Sequence, residues 1–209
     1  MKMIYGMFSA ALMGAAVLFS ASHASAASTT DASNYVESLG NRAIAIVANE
    51  KLPKNQKQKQ LEKIFADNVD IPWVGRFVMG RFWRIATPEQ QKRYLKEYEN
   101  FVITHYASRF AEYSGGKFTI TNSRKDGDGE FTISMKMETG EQGAEPVAVD
   151  YRVRAGTGGF KVFDVVVEGV SMITTQRSEF NAILSDKGVD TLIEKLASKS
   201  LSAEVAVKK

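Results

Sequence analysis

Histidine and cysteine carry much of the proton-transfer, metal and thiol chemistry of proteins, and this sequence offers little of either. Its two histidines are His23 and His105, and it has no cysteine. His23 lies in an N-terminal stretch that we expect to be removed, and a lone His105 cannot build a histidine metal cluster. Without cysteine, thiolate metal sites and thiol catalysis are excluded. We therefore interpret His105 as a packing or surface residue of a helix.

Ser171 and a glycine-rich run resemble parts of catalytic and phosphate-binding motifs. Ser171 follows Glu168-Gly169-Val170 and precedes Met172, so the second glycine of a nucleophile elbow is missing. The run Gly156-Thr157-Gly158-Gly159 lacks the lysine and the following helix of a P-loop. We therefore interpret Ser171 as the N-cap of a helix and the glycine run as a hairpin turn.

Asp150 and Asp164 are the remaining candidates for acid–base chemistry. Alternating patterns around them place both on the outer face of neighbouring strands, where paired carboxylates could act as acid and base. Arg152 and Arg154 should lie close by, so an ion-pair network is the favoured interpretation. The sequence therefore predicts no catalytic residue, no metal site and no cofactor, and a protein that is not an enzyme.

The first 26 residues have the layout of a secretory signal peptide. Lys2 supplies a positive start, an apolar run extends over residues 4–19, and Ala24-Ser25-Ala26 is an A-x-A cleavage pattern. An uncleaved membrane anchor is the weaker alternative, because the run is short for a full span. We predict cleavage after Ala26, export, and a mature domain over residues 27–209.

The length and charge of the remaining 183 residues suit one domain with a real core. The chain has 27 basic and 24 acidic side chains, and loss of Lys2 would lower its formal net charge from +3 to +2. This small, dispersed excess does not favour nucleic-acid binding. No later apolar run is long enough to cross a bilayer. Without disulfides, the exported domain must rely on packing alone.

Apolar residues recur at helical spacing in the first half and at strand spacing in the second. Threes and fours over residues 35–47 predict one helix, and Thr87-Pro88-Glu89-Gln90 is a strong start for a long one. Alternation over residues 131–138 and 147–154 predicts antiparallel strands, and helical spacing returns after Ser171. The predicted fold is α+β: a curled antiparallel sheet of about four strands, wrapped by N-terminal and C-terminal helices.

The apolar faces of these helices and strands have two possible uses. They could pack on each other as a solid core, which is the commoner outcome for any single residue. They could also stand apart and leave an apolar cavity, as happens when helices cross the concave face of a curved sheet. Flexible methionines such as Met135, Met137 and Met172 would suit a lining that adapts to its guest. Periodicity alone does not distinguish a solid core from a cavity.

Two groups of segments carry a family resemblance that covers nearly all of residues 27–209. The first group is Gly80-Arg81-Phe82-Trp83-Arg84, Ala86-Thr87-Pro88-Glu89-Gln90-Gln91, Phe101 and Tyr106. The second is Val149-Asp150-Tyr151-Arg152, residues 161–171, Arg177, Phe180 and residues 188–196. Together they resemble the MlaC family, also called the toluene-tolerance family of periplasmic phospholipid-binding proteins. The run over residues 162–171, with Arg177 and Phe180, is the specific part.

The resemblance implies a function that the periodicity does not reveal. It implies a periplasmic carrier that shuttles glycerophospholipids between an outer-membrane lipoprotein–porin complex and an inner-membrane ABC transporter complex with its membrane-anchored substrate-binding subunit. That traffic maintains the lipid asymmetry of the outer membrane. The alternatives are another lipid cargo such as a hopanoid, or, in a different class, a small-molecule enzyme on a similar curled-sheet fold.

The predicted faces also select the residues that should contact the lipid. We expect the lining to include Trp73, Phe77, Phe101, Phe131, Ile133, Met135, Val149, Tyr151, Val165, Val167 and Met172. The headgroup should stay at the mouth of the cavity, mostly in water.

Overall fold

Six helices and five strands make up the part of the chain that this computed structural model describes, which is residues 27–111, 117–138, 143–198 and 201. The predicted signal peptide and its cleavage site lie outside these residues. The helices are α1 Thr29–Ala48, α2 Lys54–Asn68, α3 Ile71–Met79, α4 Phe82–Ile85, α5 Pro88–Ala111 and α6 Met172–Ala197. The strands are β1 Phe118–Gly127, β2 Glu130–Met137, β3 Val147–Gly156, β4 Gly159–Val167 and β5 Val170–Ser171.

Local sequence signals set several of the helix starts. Thr87 and Gln90 form the predicted capping box, since the Gln90 amide N–H donates to Thr87 Oγ1 at 3.2 Å and the Thr87 N–H to Gln90 Oε1 at 3.0 Å. Ser171 is confirmed as a cap, because its Oγ accepts from the Thr174 N–H at 3.2 Å. Ser28 also forms a capping box, with Asp31, so α1 begins at Thr29, earlier than the helical spacing from residue 35 predicts.

The strands form one antiparallel meander in the order β1-β2-β3-β4-β5, which is not closed into a barrel. This architecture confirms the predicted α+β class, with the two-residue β5 added to the four expected strands. β4 lies between β3 and the two-residue β5. Helices cover it as well, and the Asp70 N–H, just before α3, donates to the Val162 carbonyl at 2.8 Å.

Two main apolar clusters hold the sheet and the helices together. In one, Val36 and Leu39 of α1 pack on Phe131, Ile133 and Met135 of the sheet. In the other, α3, α5 and α6 pack around large buried residues that include Tyr94, Tyr98, Phe101, Phe163 and Phe180. None of the helices formed by the described residues is both long enough and apolar enough to cross a membrane.

Gly75 allows α3 to approach α5 closely, and its replacement should be costly. A methyl group built at Gly75 would lie 2.9 Å from Tyr98 Cδ1 and 3.0 Å from Leu95 Cδ2. We expect Gly75→Ala to lower the free energy of unfolding by about 1 kcal/mol, because overpacking outweighs the gain in helix propensity. Urea unfolding would measure this loss. Gly158→Ala is the matched control, since nothing lies within 4 Å of its added methyl group; equal stability of the two variants would contradict the prediction.

Candidate functional site

A cavity of about 520 Å³ lies between the sheet and the helices, in the range typical of small-molecule sites. Its walls come from α2, α3, α5 and α6 on one side and from β2, β3 and β4 on the other. Nearly all of the lining side chains are aliphatic or aromatic. They are Phe65, Val69, Val74, Tyr98, Val102, Tyr106, Phe110, Met137, Val147, Val149, Tyr151, Val162, Phe163, Asp164, Val165, Val167, Met172, Ile173 and Gln176.

The strand register explains the sheet wall. Val149 lies opposite Val167, and Tyr151 lies opposite Val165, so all four side chains project from the same face of the β3–β4 pair. The same face continues onto β2, where Met135 lies opposite Val149. One face of the sheet therefore supplies both the cavity wall and the surface on which α1 packs.

The helical wall contains a stripe along α5. Tyr98, Val102, Tyr106 and Phe110 follow each other at intervals of four residues, which places them on one side of the helix. This stripe was missing from the predicted lining, although its spacing of four is visible in the sequence. Met172, Ile173 and Gln176 at the start of α6 extend the helical wall.

Asp164 is the one charged residue among the described residues that line the cavity, and its oxygens are already occupied. It accepts from Ser171 Oγ at 2.8 Å and from the Ile173 N–H at 3.3 Å, and an Arg152 guanidinium nitrogen lies 3.5 Å away. Its side chain is fully buried. The contact with Arg152 is the ion pair expected of Asp164, and the two hydrogen bonds tie β4 to the N-terminus of α6.

Gln176 and Tyr98 form the other polar contact in the wall. The Tyr98 hydroxyl donates to Gln176 Oε1 at 2.5 Å, and both residues are buried. Burial raises the pKa of the Tyr98 hydroxyl well above its usual range, and nearby Tyr106 raises it further. The hydroxyl therefore stays protonated and remains a donor to the glutamine.

Five of the eleven residues predicted to contact lipid line this cavity. They are Val149, Tyr151, Val165, Val167 and Met172. Three others, Phe131, Ile133 and Met135, lie on the same sheet face but are buried in the cluster that includes α1. A register that puts side chains on one face does not decide whether a helix covers them.

The other three predicted residues lie in packed regions outside the cavity wall. Trp73 stacks on Phe77, with ring centres 5.3 Å apart, and the Arg154 guanidinium sits 4.3 Å from the Trp73 ring. Phe101 is buried among the helices and stacks on His105 at 5.2 Å. Trp73, Phe77 and Phe101 therefore do not line the cavity; they serve the helical core.

Of the residues weighed for catalysis, Ser171 contacts Asp164, whereas His105 lies on α5. His105 stacks on Phe101, contacts Tyr106 edge-on and does not line the cavity. Asp150 lies opposite Val166 and Asp164 lies opposite Arg152, so the two aspartates are on the same face of neighbouring strands, as expected, and are offset by two residues. Within residues 27–111, 117–138, 143–198 and 201, no group of three or more potential metal-ligating side chains comes together.

The model of the family described as "MlaC protein" matches residues 37–198, which is most of the chain. The chain belongs to the MlaC family. This match confirms the resemblance seen in the sequence.

Two relatives and one solved structure extend the comparison of this MlaC-family chain. It is 29% identical over 131 residues to the intermembrane phospholipid transport system binding protein MlaC of Haemophilus influenzae, covering 61% of each chain. It is 27% identical over 131 residues to a toluene tolerance protein of Pseudomonas putida, covering 62% of this chain and 60% of that one. The matched stretch thus spans about three fifths of each relative's length.

The solved structure is a phospholipid-binding protein from Ralstonia solanacearum in complex with a phospholipid. Its TM-score to this chain is 0.69 at 24% identity, and the match covers 84% of this chain and 99% of that one. At this identity the likeness establishes the fold.

Proposed function

We propose that this protein is a periplasmic carrier of glycerophospholipids. One observation carries the proposal: a cavity of about 520 Å³ in which aliphatic and aromatic side chains form nearly the whole wall. Each methylene group left in water costs about 0.8 kcal/mol, so a chain of about fifteen costs roughly 12 kcal/mol. An apolar cavity that encloses such a chain removes the main barrier to moving a lipid through water.

The names of the relatives support the same reading of the cavity. The Haemophilus influenzae protein is named for intermembrane phospholipid transport, and the Ralstonia solanacearum protein is described with a bound phospholipid. Neither name states a reaction. We therefore propose a binding protein without catalytic residues, with Val149, Tyr151, Val165, Val167 and Met172 among its lipid contacts.

The proposal includes the route and the partners of the carrier. Residues 1–26 would direct export and be cleaved, leaving residues 27–209 as the lipid-binding domain in the periplasm. The loaded protein would pass lipid between an outer-membrane lipoprotein–porin complex and an inner-membrane ABC transporter complex. This exchange would maintain the lipid asymmetry of the outer membrane.

Lipid extraction tests the proposal directly. We expect protein purified from the periplasm of a Gram-negative host without detergent to release glycerophospholipid in about equimolar amount into organic solvent, as identified by mass spectrometry. The same extraction of an unrelated periplasmic protein of similar size is the control. Recovery of a hopanoid would change the cargo, and recovery of no lipid would contradict the proposal.

A further inference from the structure

The amide nitrogen of Gln176 is an unsatisfied hydrogen-bond donor in the cavity wall. Gln176 is 6% exposed, and its Oε1 accepts the Tyr98 hydroxyl at 2.5 Å. Its Nε2 has no hydrogen-bond partner among the residues that the structure describes. Buried polar groups are nearly always paired, so an unpaired amide donor in a cavity wall points to a partner that arrives with the ligand.

The chemistry around Gln176 selects the kind of acceptor that can pair with it. No lysine or arginine is among the described residues lining the cavity, and the one charged group there is the carboxylate of Asp164. A phosphate or a free fatty-acid carboxylate would enter an apolar, cation-free cavity at a large desolvation cost. A neutral carbonyl oxygen accepts a hydrogen bond without that penalty.

The neutral acceptor that accompanies apolar chains in a glycerophospholipid is the acyl ester carbonyl. We propose that Gln176 donates through Nε2 to an acyl ester carbonyl of the bound lipid, and so makes the cavity selective for ester-linked lipids. This inference rests on the proposed carrier function and specifies its cargo. Lipids without that carbonyl, such as ether-linked lipids and hydrocarbon-rich hopanoids, would leave the amide unpaired.

A pair of lipids that differ only at this carbonyl tests the inference. Delipidated protein is titrated with diacyl phosphatidylethanolamine and with its dialkyl ether analogue of equal chain length, both in competition with a fluorescent lipid. We expect the wild-type protein to bind the ester lipid about fivefold to tenfold more tightly, the range expected for one buried hydrogen bond.

Variants assign that preference to the Gln176 amide. Gln176→Met should bind both lipids equally, at about the wild-type affinity for the ether analogue. The double variant Y98F/Q176M removes both partners of the existing hydrogen bond, so it leaves no hydroxyl unpaired and serves if the single variant misfolds. Gln58→Met is the matched control on α2, where Gln58 bonds Glu62 away from the cavity, and it should keep the ester preference.

The outcomes separate this inference from the carrier function. Equal binding of the two lipids by the wild-type protein, or an ester preference that survives in both Gln176 variants, overturns the role of Gln176 and leaves the carrier standing. If the wild-type protein binds neither lipid, the carrier function fails first and the inference fails with it.

Discussion

Val149→Glu and Val167→Glu are each expected to abolish lipid loading, with at least a hundredfold loss of affinity, while the protein stays folded. Both valines line the cavity and lie opposite each other on β3 and β4. A carboxylate at either position faces the hydrocarbon of the guest, and desolvating it would cost several kcal/mol. Each 1.4 kcal/mol is tenfold in affinity, so about 3 kcal/mol suffices. In the lipid-free protein, water in the cavity can solvate the carboxylate, so we expect the variants to fold.

Val170→Glu is the matched control for these two variants. Val170 pairs with Val167 across the β4–β5 turn, but it is 53% exposed and does not line the cavity. The same substitution there should leave loading unchanged. Lipid per mole of purified protein, measured by mass spectrometry, reports loading, and circular dichroism reports folding. A folded Val149→Glu or Val167→Glu protein that carries lipid at the wild-type level would show that the cavity is not the binding site.

Asp164→Ala should lower the free energy of unfolding by about 3 kcal/mol. This is the largest stability effect that we expect from changing one buried polar side chain. The carboxylate is fully buried and is held by Ser171, the Ile173 N–H and Arg152. Removing it leaves the arginine without its buried counter-charge and the start of α6 without its acceptor. For a chain of this length the melting temperature should fall by about 6–12 °C.

The measurement for Asp164 requires lipid-free protein, because a ligand bound to the folded state would raise its apparent stability. Calorimetric melting of delipidated wild-type and variant proteins gives the comparison. Asp128→Ala is the control, since Asp128 is a fully exposed aspartate 3.9 Å from Lys125, and such surface pairs contribute little. If both variants melt within 2 °C of the wild-type protein, as expected for a surface pair, Asp164 does not hold β4 to α6.

Short-range signals in the sequence were sufficient to predict most of the elements, although not the two-residue β5. The change from helical to alternating spacing separates the helices from the strands, and the caps at Thr87 and Ser171 lie where their residue types indicate. These features depend on contacts between residues a few positions apart, so the chain encodes them locally. The family resemblance added the expectation of a lipid-sized cavity, which periodicity alone left open.

The tertiary structure decided which apolar residues line the cavity. Ile133 and Tyr151 are cross-strand partners on the same face of the sheet, and the alternation of the two strands does not distinguish them. Ile133 is fully buried in the cluster with α1, whereas Tyr151 remains at the cavity wall. That difference depends on where a helix from the other end of the sequence crosses the sheet.

The sequence by itself determined the helices, the strands and the apolar face of the sheet, because a repeat of two or of 3.6 residues sets which side chains share a face. Only the tertiary structure determined which part of that face lines the cavity. It also placed the unpaired amide nitrogen of Gln176 there, beside Tyr98. Whether apolar surfaces meet or stand apart depends on the distance between elements, and side-chain periodicity carries no record of that distance.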